Sequence, residues 1–194
     1  MLRFCVIIFL LQTASVILGQ TEWELEKSGN GIEIYTREVD EVEIKEFKAS
    51  TTVNAPLEML IAALDNIDEH PEWMSDITFA RSLPDSPDIT HYNIKLPFPF
   101  KNRYVVMINE TESSSDYHRI EMWTSEIELD DVDDHVKIPY VKGYWLLTKV
   151  DDSTTDVVYQ FVSDPGGKVP DWLVNAFVVQ SPYKTLSKLK KRLE

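Results

Sequence analysis

A curved antiparallel sheet wrapped around one long C-terminal helix, an α+β architecture, is what this chain predicts. Three observations carry it. Residues 76–164 run as strand after strand, with turn signals at short intervals as in an antiparallel meander. The end of the chain, from Pro170-Asp171 onward, places Trp172, Leu173, Ala176, Phe177, Gln180, Tyr183, Leu186, Leu189 and Leu193 at helical spacing. One shorter helix midway is the only other helical segment of any length. A sheet that grips a single long helix encloses an apolar pocket, so the first expectation is a carrier of a greasy ligand rather than a catalyst.

The elements follow in order. Met1-Leu2-Arg3 is a short basic start and Phe4 to Leu18 an almost unbroken apolar run, followed by Gly19 and Gln20. Residues 1–19 therefore predict a secretory signal peptide; the run falls short of the ~20 residues that span a bilayer, which favours cleavage over the alternative of an uncleaved anchor. The remaining 20–194 form one domain, secreted or periplasmic. Residues 22–26 read as a short helical lead-in, Gly29-Asn30-Gly31 as a turn, and 32–37 as an alternating strand. A second strand lies within 43–53. Asn54-Ala55-Pro56 opens a helix through Leu64, with Met59, Leu60, Ala63 and Leu64 on its apolar face. A broken helical stretch over 65–74 ends on Trp73.

Strands are then expected at 77–82, 89–96, 104–112, 118–127, 136–139, 143–150 and 155–163, with Asp151-Asp152-Ser153-Thr154 closing the last hairpin. Asp164-Pro165-Gly166-Gly167 makes a rigid corner before the terminal helix. That helix would be roughly 36 Å long at 1.5 Å per residue. Pro182 should kink it, and Lys188, Lys190, Lys191 and Arg192 suit the negative end of its dipole.

Composition narrows the function classes. The net charge is −14, becoming −15 once Arg3 leaves with the leader. Nucleic acid and anionic bilayers are repelled on average. The single cysteine, Cys5, lies in the leader, so neither a disulfide framework nor thiol chemistry is expected. His70, His91, His118 and His135 show no metal-ligand spacing, and no Gly-x-Ser-x-Gly elbow is present. The acidic run Asp130-Asp131-Val132-Asp133-Asp134 lacks the glycine and closing glutamate of a calcium loop and reads as a solvated turn. Asn109-Glu110-Thr111 is a formal glycosylation sequon, but it falls on a strand and should go unused. No cofactor and no metal are expected.

Gly143-Tyr144-Trp145-Leu146-Leu147, Val157-Val158-Tyr159 and the run from Asp164 to Asn175 resemble the steroidogenic-acute-regulatory-related lipid transfer (START) domain family. Gly31-Ile32-Glu33-Ile34-Tyr35, Trp73, and Pro97-Phe98-Pro99 before Arg103 fit the same pattern, so the resemblance covers about 23–193. It implies the helix-grip fold, a cavity for one lipid or sterol-like molecule, and a lid formed by the loop carrying Leu96, Phe98 and Phe100 with the start of the last helix. Those rings either face solvent and a membrane edge, giving transient membrane contact, or tuck into the core beside the sheet end.

Departures from the family pattern shape the expected ligand. Tyr104 follows Arg103 where the family commonly has aspartate. Asn109 stands where lipid-binding members often bury an arginine, and Tyr92 where sterol-type members put its acidic partner. The floor of the pocket should therefore be neutral and hydrogen-bonding, and the ligand should carry few polar groups and no phosphate. Candidate ligand-binding residues are Trp73, Tyr92, Ile94, Met107, Asn109, Met122, Tyr159, Trp172 and Phe177. Met107 and Met122 suit an adaptable apolar cavity, whereas tryptophans, Trp123 and Trp145 included, are more often plain core. A monomer that binds one hydrophobic ligand without changing it is the first reading. An enzyme of the cyclase or aromatase type, and a protein-interaction module with a collapsed cavity, are the alternatives.

Overall fold

The computed structural model describes residues 22–130, 132 and 134–194. The leader expected at 1–19 and two members of the acidic run lie outside the described residues. Asn30 and Gly31 both take positive φ, 53° and 70°, the pair of values that a type I′ turn needs. They join β1 (Glu24–Gly29) to β2 (Ile32–Arg37) in a hairpin. The helical lead-in read at 22–26 is thus a strand. Pairing with β2 outweighs the helix preference of its glutamates, and the Asn-Gly pair was the hairpin signal.

β3 (Glu46–Val53) is followed by α1 (Leu57–Asp65), with Pro56 at its N-cap, then by a 3-10 turn (Ile67–Glu69) and α2 (His70–Trp73). The buried stripe of α1 is Leu57, Leu60, Ala63 and Leu64; Met59 is exposed. Leu57, Leu60 and Leu64 share one face at i, i+3 and i+7 spacing, which leaves Met59 turned outward. Then come β4 (Ile77–Leu83), β5 (Ser86–Ile94), β6 (Arg103–Ser113), β7 (Tyr117–Thr124), the two-residue β8 (Val136–Lys137), β9 (Tyr140–Asp151) and β10 (Thr154–Asp164).

The strands form one open sheet in the order β1-β2-β3-β10-β9-β7-β6-β5-β4, antiparallel throughout, with β8 parallel beside β6. Residues 170–193 do not form one uniform helix. α3 (Asp171–Asn175) passes into a π-helical turn (Ala176–Gln180) and then α4 (Ser181–Leu193). The Ser181 amide bonds the Ala176 carbonyl five residues back. Pro182, in the first turn of α4, has no N–H to continue the narrower ladder, and the widened turn absorbs that loss.

Leu186 and Leu189 of α4 are fully buried with Ile32, Ile34, Leu147 and Val157 of the sheet. Polar clips fix the helix in place. The Ser75 amide donates to Thr185 Oγ1 at 2.9 Å, Lys190 donates to the Thr52 carbonyl, and the Glu194 carboxylate accepts from the Asn54 amide at 3.0 Å.

The sheet is tightest where β9 crosses β10. A Cβ on Gly143 would collide with the Gln160 carbonyl and lie 2.9 Å from Phe161 Cα, both backbone atoms that cannot step aside. Gly143→Ala should lower unfolding stability by about 1–3 kcal/mol, read as a drop in the urea midpoint at unchanged slope.

Candidate functional site

A cavity of about 420 Å³ lies between the inner face of the sheet and the terminal helix. Strand alternation decides what faces it. From β6 the residues are Arg103, Val105, Met107, Asn109 and Thr111; from β5, Thr90, Tyr92 and Ile94; from β10, Tyr159, Phe161 and Ser163. The π turn contributes Phe177 and Val178. Tyr104 and Val106 point to the other face, into a small cluster with Val132, where the Tyr104 hydroxyl donates to Glu128 at 3.2 Å. Tyr104 therefore plays no part in the cavity.

Of the residues singled out in the sequence, Tyr92, Ile94, Met107, Asn109, Met122, Tyr159, Phe177 and Leu96 line the cavity. Trp73 does not. It is 2% exposed behind the wall, edge-on to Trp145 with ring centroids 6.2 Å apart, and its indole N–H has no hydrogen-bond partner among the described residues. Trp172 also stands outside, 59% exposed and packed edge-on against Phe100. It lies at the first turn of the short α3, where it faces away from the sheet. Trp123 lies on the outer face, whereas Trp145 lines the cavity.

The loop expected to form a lid divides in two. Leu96 is buried in the cavity wall, Phe100 is half-buried, and Phe98 is 97% exposed. The Leu96 amide donates to Asn102 Oδ1 at 3.1 Å and the Phe100 amide to the Pro97 carbonyl at 3.1 Å, which holds the loop in a tight arch.

The polar groups in the wall are largely engaged with one another. His70 Nε2 lies 2.9 Å from the Leu64 carbonyl and Nδ1 lies 2.9 Å from the Tyr92 hydroxyl. The carbonyl can only accept, so Nε2 carries the proton and Nδ1 accepts from Tyr92. Burial pushes His70 down to about 4, keeping the ring neutral, and burial also raises the Tyr92 phenol. Asn109 donates its amide to the Asp88 carbonyl at 2.9 Å and to Thr90 Oγ1 at 3.1 Å. Asn109 and Tyr92 both face the cavity, with these donors already in use. Sequence reasoning weighed His70 only as a metal ligand; nothing in its spacing marks it as the partner of a tyrosine on β5.

Arg103 is the cation in the cavity wall, 5% exposed. Its guanidinium donates to the carbonyls of Pro165 at 2.6 Å, Gly166 at 3.0 Å and Lys101. Among the described residues no carboxylate pairs with it, and burial lowers its pKa. It acts as a clamp that joins the start of β6, the loop at Lys101 and the Pro165-Gly166 corner.

A larger groove of about 900 Å³ runs over the outer face of the sheet. Its lining is spanned by the Arg37–Glu46 ion pair and by hydrogen bonds from Gln160 to Glu46 and from Tyr144 to Gln160. That charged surface suits water rather than a greasy molecule, so the smaller internal cavity is the candidate site. Among the described residues no cluster of histidine, cysteine or carboxylate side chains could hold a metal ion.

Comparison with known proteins agrees with this geometry. The START domain family model matches residues 13–194. An uncharacterised protein of Pseudomonas aeruginosa is 27% identical over 89% of this chain and 87% of its own length. The crystal structure of a STAR-related lipid transfer protein from Xanthomonas axonopodis superposes with a TM-score of 0.78 at 29% identity, covering 88% of this chain and 98% of that one. Human StAR-related lipid transfer protein 5 shares the fold, with a TM-score of 0.77 at 16% identity over 88% and 86% of the two chains.

Two outcomes follow from the wall. An unfolded chain protonates His70 near 6.5 but the folded one only near 4, so stability is full above pH 6.5 and falls as pH drops toward 4. The loss amounts to about 3 kcal/mol. Urea titrations at pH 7 and pH 4 should show a larger drop for the natural protein than for His70→Asn; equal drops would refute the assignment. Arg103→Leu should cost about 3 kcal/mol or more by freeing three carbonyls, and limited proteolysis should then cut at the 164–168 corner.

Proposed function

Because the chain belongs to the START domain family, we propose that it is an exported carrier that takes up one hydrophobic molecule, a lipid or sterol-like compound, and releases it unchanged. The observation that carries this reading is the internal apolar cavity of about 420 Å³, within the range of small-molecule sites. The basic start and apolar run of residues 1–18 support export. Carriage without chemistry is supported by the state of His70. Both ring nitrogens are hydrogen-bonded and the ring is neutral, which leaves no free nitrogen for proton transfer.

The lid supports brief contact with a membrane edge during exchange. Phe98 and Trp172 are the exposed aromatic groups of this end, and Lys101 and Lys168, both exposed, flank them in a chain that is otherwise strongly acidic. Such a ring-and-lysine rim suits the headgroup boundary, where apolar rings insert and ammonium groups meet phosphates. The net charge of −14 argues against nucleic acid as a partner.

Native mass spectrometry of the purified protein should reveal one lipid-sized adduct per chain, and the delipidated protein should take up a single molecule from a mixed lipid extract. A protein that arrives empty and takes up nothing would sink the reading. Replacing both Phe98 and Trp172 by serine should slow uptake from vesicles by about tenfold while shifting the melting temperature by no more than a few degrees, since exposed rings contribute little to the core.

A further inference from the structure

The inner face of β10 presents Val157, Tyr159, Phe161 and Ser163 in alternation, running from the core toward the Pro165 corner. Tyr159 is held rigidly. Its ring stacks on Trp145 at 4.0 Å with an interplanar angle of 3°, and meets the Phe47 ring edge-on at 5.0 Å. The hydroxyl is another matter: among the described residues, nothing hydrogen-bonds it. The other conspicuous polar groups of the wall are engaged, Tyr92 with His70, Asn109 with Asp88 and Thr90, and Arg103 with three carbonyls. Burial and the nearby Tyr92 raise the Tyr159 phenol, so it is a neutral donor at every physiological pH. The fully enclosed polar atoms left unpaired among the described residues are Trp73 Nε1 and His118 Nε2; the Tyr159 oxygen is not one of them, so it keeps access to the cavity, where an incoming group can pair with it.

We infer that the Tyr159 hydroxyl anchors the one polar group of the bound molecule, and that this molecule is a neutral single-chain lipid bearing an alcohol or carbonyl oxygen. The inference rests on the cavity being a carrier site and goes on to name what it carries. Size sets one limit. A cavity of roughly 150 Å³ accommodates benzene, so 420 Å³ admits on the order of fifteen to twenty non-hydrogen atoms on the same scale, too few for a two-chain phospholipid. Charge sets the other. A buried carboxylate or phosphate needs a cation in reach, yet His70 is neutral and the Arg103 guanidinium is clamped to backbone carbonyls. Asp65, Asp76 and Asp88 also border the cavity and would repel an anion.

The test uses three probes of one chain length, hexadecan-1-ol, hexadecane and hexadecanoate, delivered from cyclodextrin to the delipidated protein at pH 7. The alcohol should bind most tightly, about five- to tenfold better than the alkane, the increment of one net hydrogen bond. Tyr159→Phe keeps the ring and its stack, so alkane binding should be unchanged while the advantage of the alcohol disappears. A ratio of alcohol to alkane that survives Tyr159→Phe would overturn the anchor. Hexadecanoate binding more tightly than the alcohol, with the difference lost in Arg103→Lys, would overturn the neutral class in favour of an anion at the clamp. If alcohol and alkane bind equally, only this inference fails; if none of the three binds, the carrier reading fails with it.

Discussion

The structure depends on the three hydrogen bonds that Arg103 sends into the backbone. Its guanidinium lies where the first residue of β6, the loop at Lys101 and the Pro165-Gly166 corner converge. Gly166 makes that convergence possible. Its φ is +70°, and a Cβ there would lie 2.8 Å from the Lys137 carbonyl, so only glycine lets the corner press against β8. A buried cation satisfied by carbonyl dipoles alone forms no charge pair that a ligand or proton could dissolve. The corner then delivers Pro170 and α3 to a fixed place, and the helix roofs the cavity from there.

The cavity owes its shape to aromatic packing around this frame. Trp73 meets both His70 and Trp145 edge-on, Trp145 stacks on Tyr159, and Tyr159 meets Phe47. Rings in such contact have few rotamers, so the wall is preformed rather than moulded by its contents. The one departure from regular helix geometry, the π turn over Ala176–Gln180, adds Phe177 and Val178 to the opposite wall. Such turns recur at functional sites because they shift the phase of the side chains that follow. Here the phase shift is coupled to Pro182, a residue whose effect could be expected from sequence although its form could not.

Much of the architecture was legible because it is written in local chemistry. Alternation and turn residues placed the strands after Asp76 within a few residues of their observed ends, and the last hairpin closes at the expected Asp151–Thr154 turn. The errors have two causes. Residues 22–26 became a strand because pairing with β2 outweighed the local pattern. Met59 yielded its place to Leu57 because Leu57 shares a helix face with Leu60 and Leu64 at i, i+3 and i+7. The candidate site was legible by type and less so by role. Eight of the expected residues line the cavity, while Trp73 and Trp172 stand behind and outside it.

By itself, then, the sequence determined the element order from Ile32 to the last hairpin, the curved sheet followed by a terminal helical segment, and the net negative charge, while the likeness to the START family marked Tyr92 and Asn109 as departures from its pattern. Periodicity, turn chemistry and net charge depend on residues close together in the chain, or on composition alone. Only the tertiary structure decided which face of the last hairpin looks inward, since Trp145 and Leu147 compete with Tyr144 and Leu146 on equal apolar terms. It also decided that His70 closes on Tyr92 and that Arg103 locks the corner, leaving the Tyr159 hydroxyl open to the cavity. Those outcomes depend on hydrogen bonds between residues 22 to 63 positions apart, or on the lack of one. No local pattern encodes which distant donor will find which acceptor.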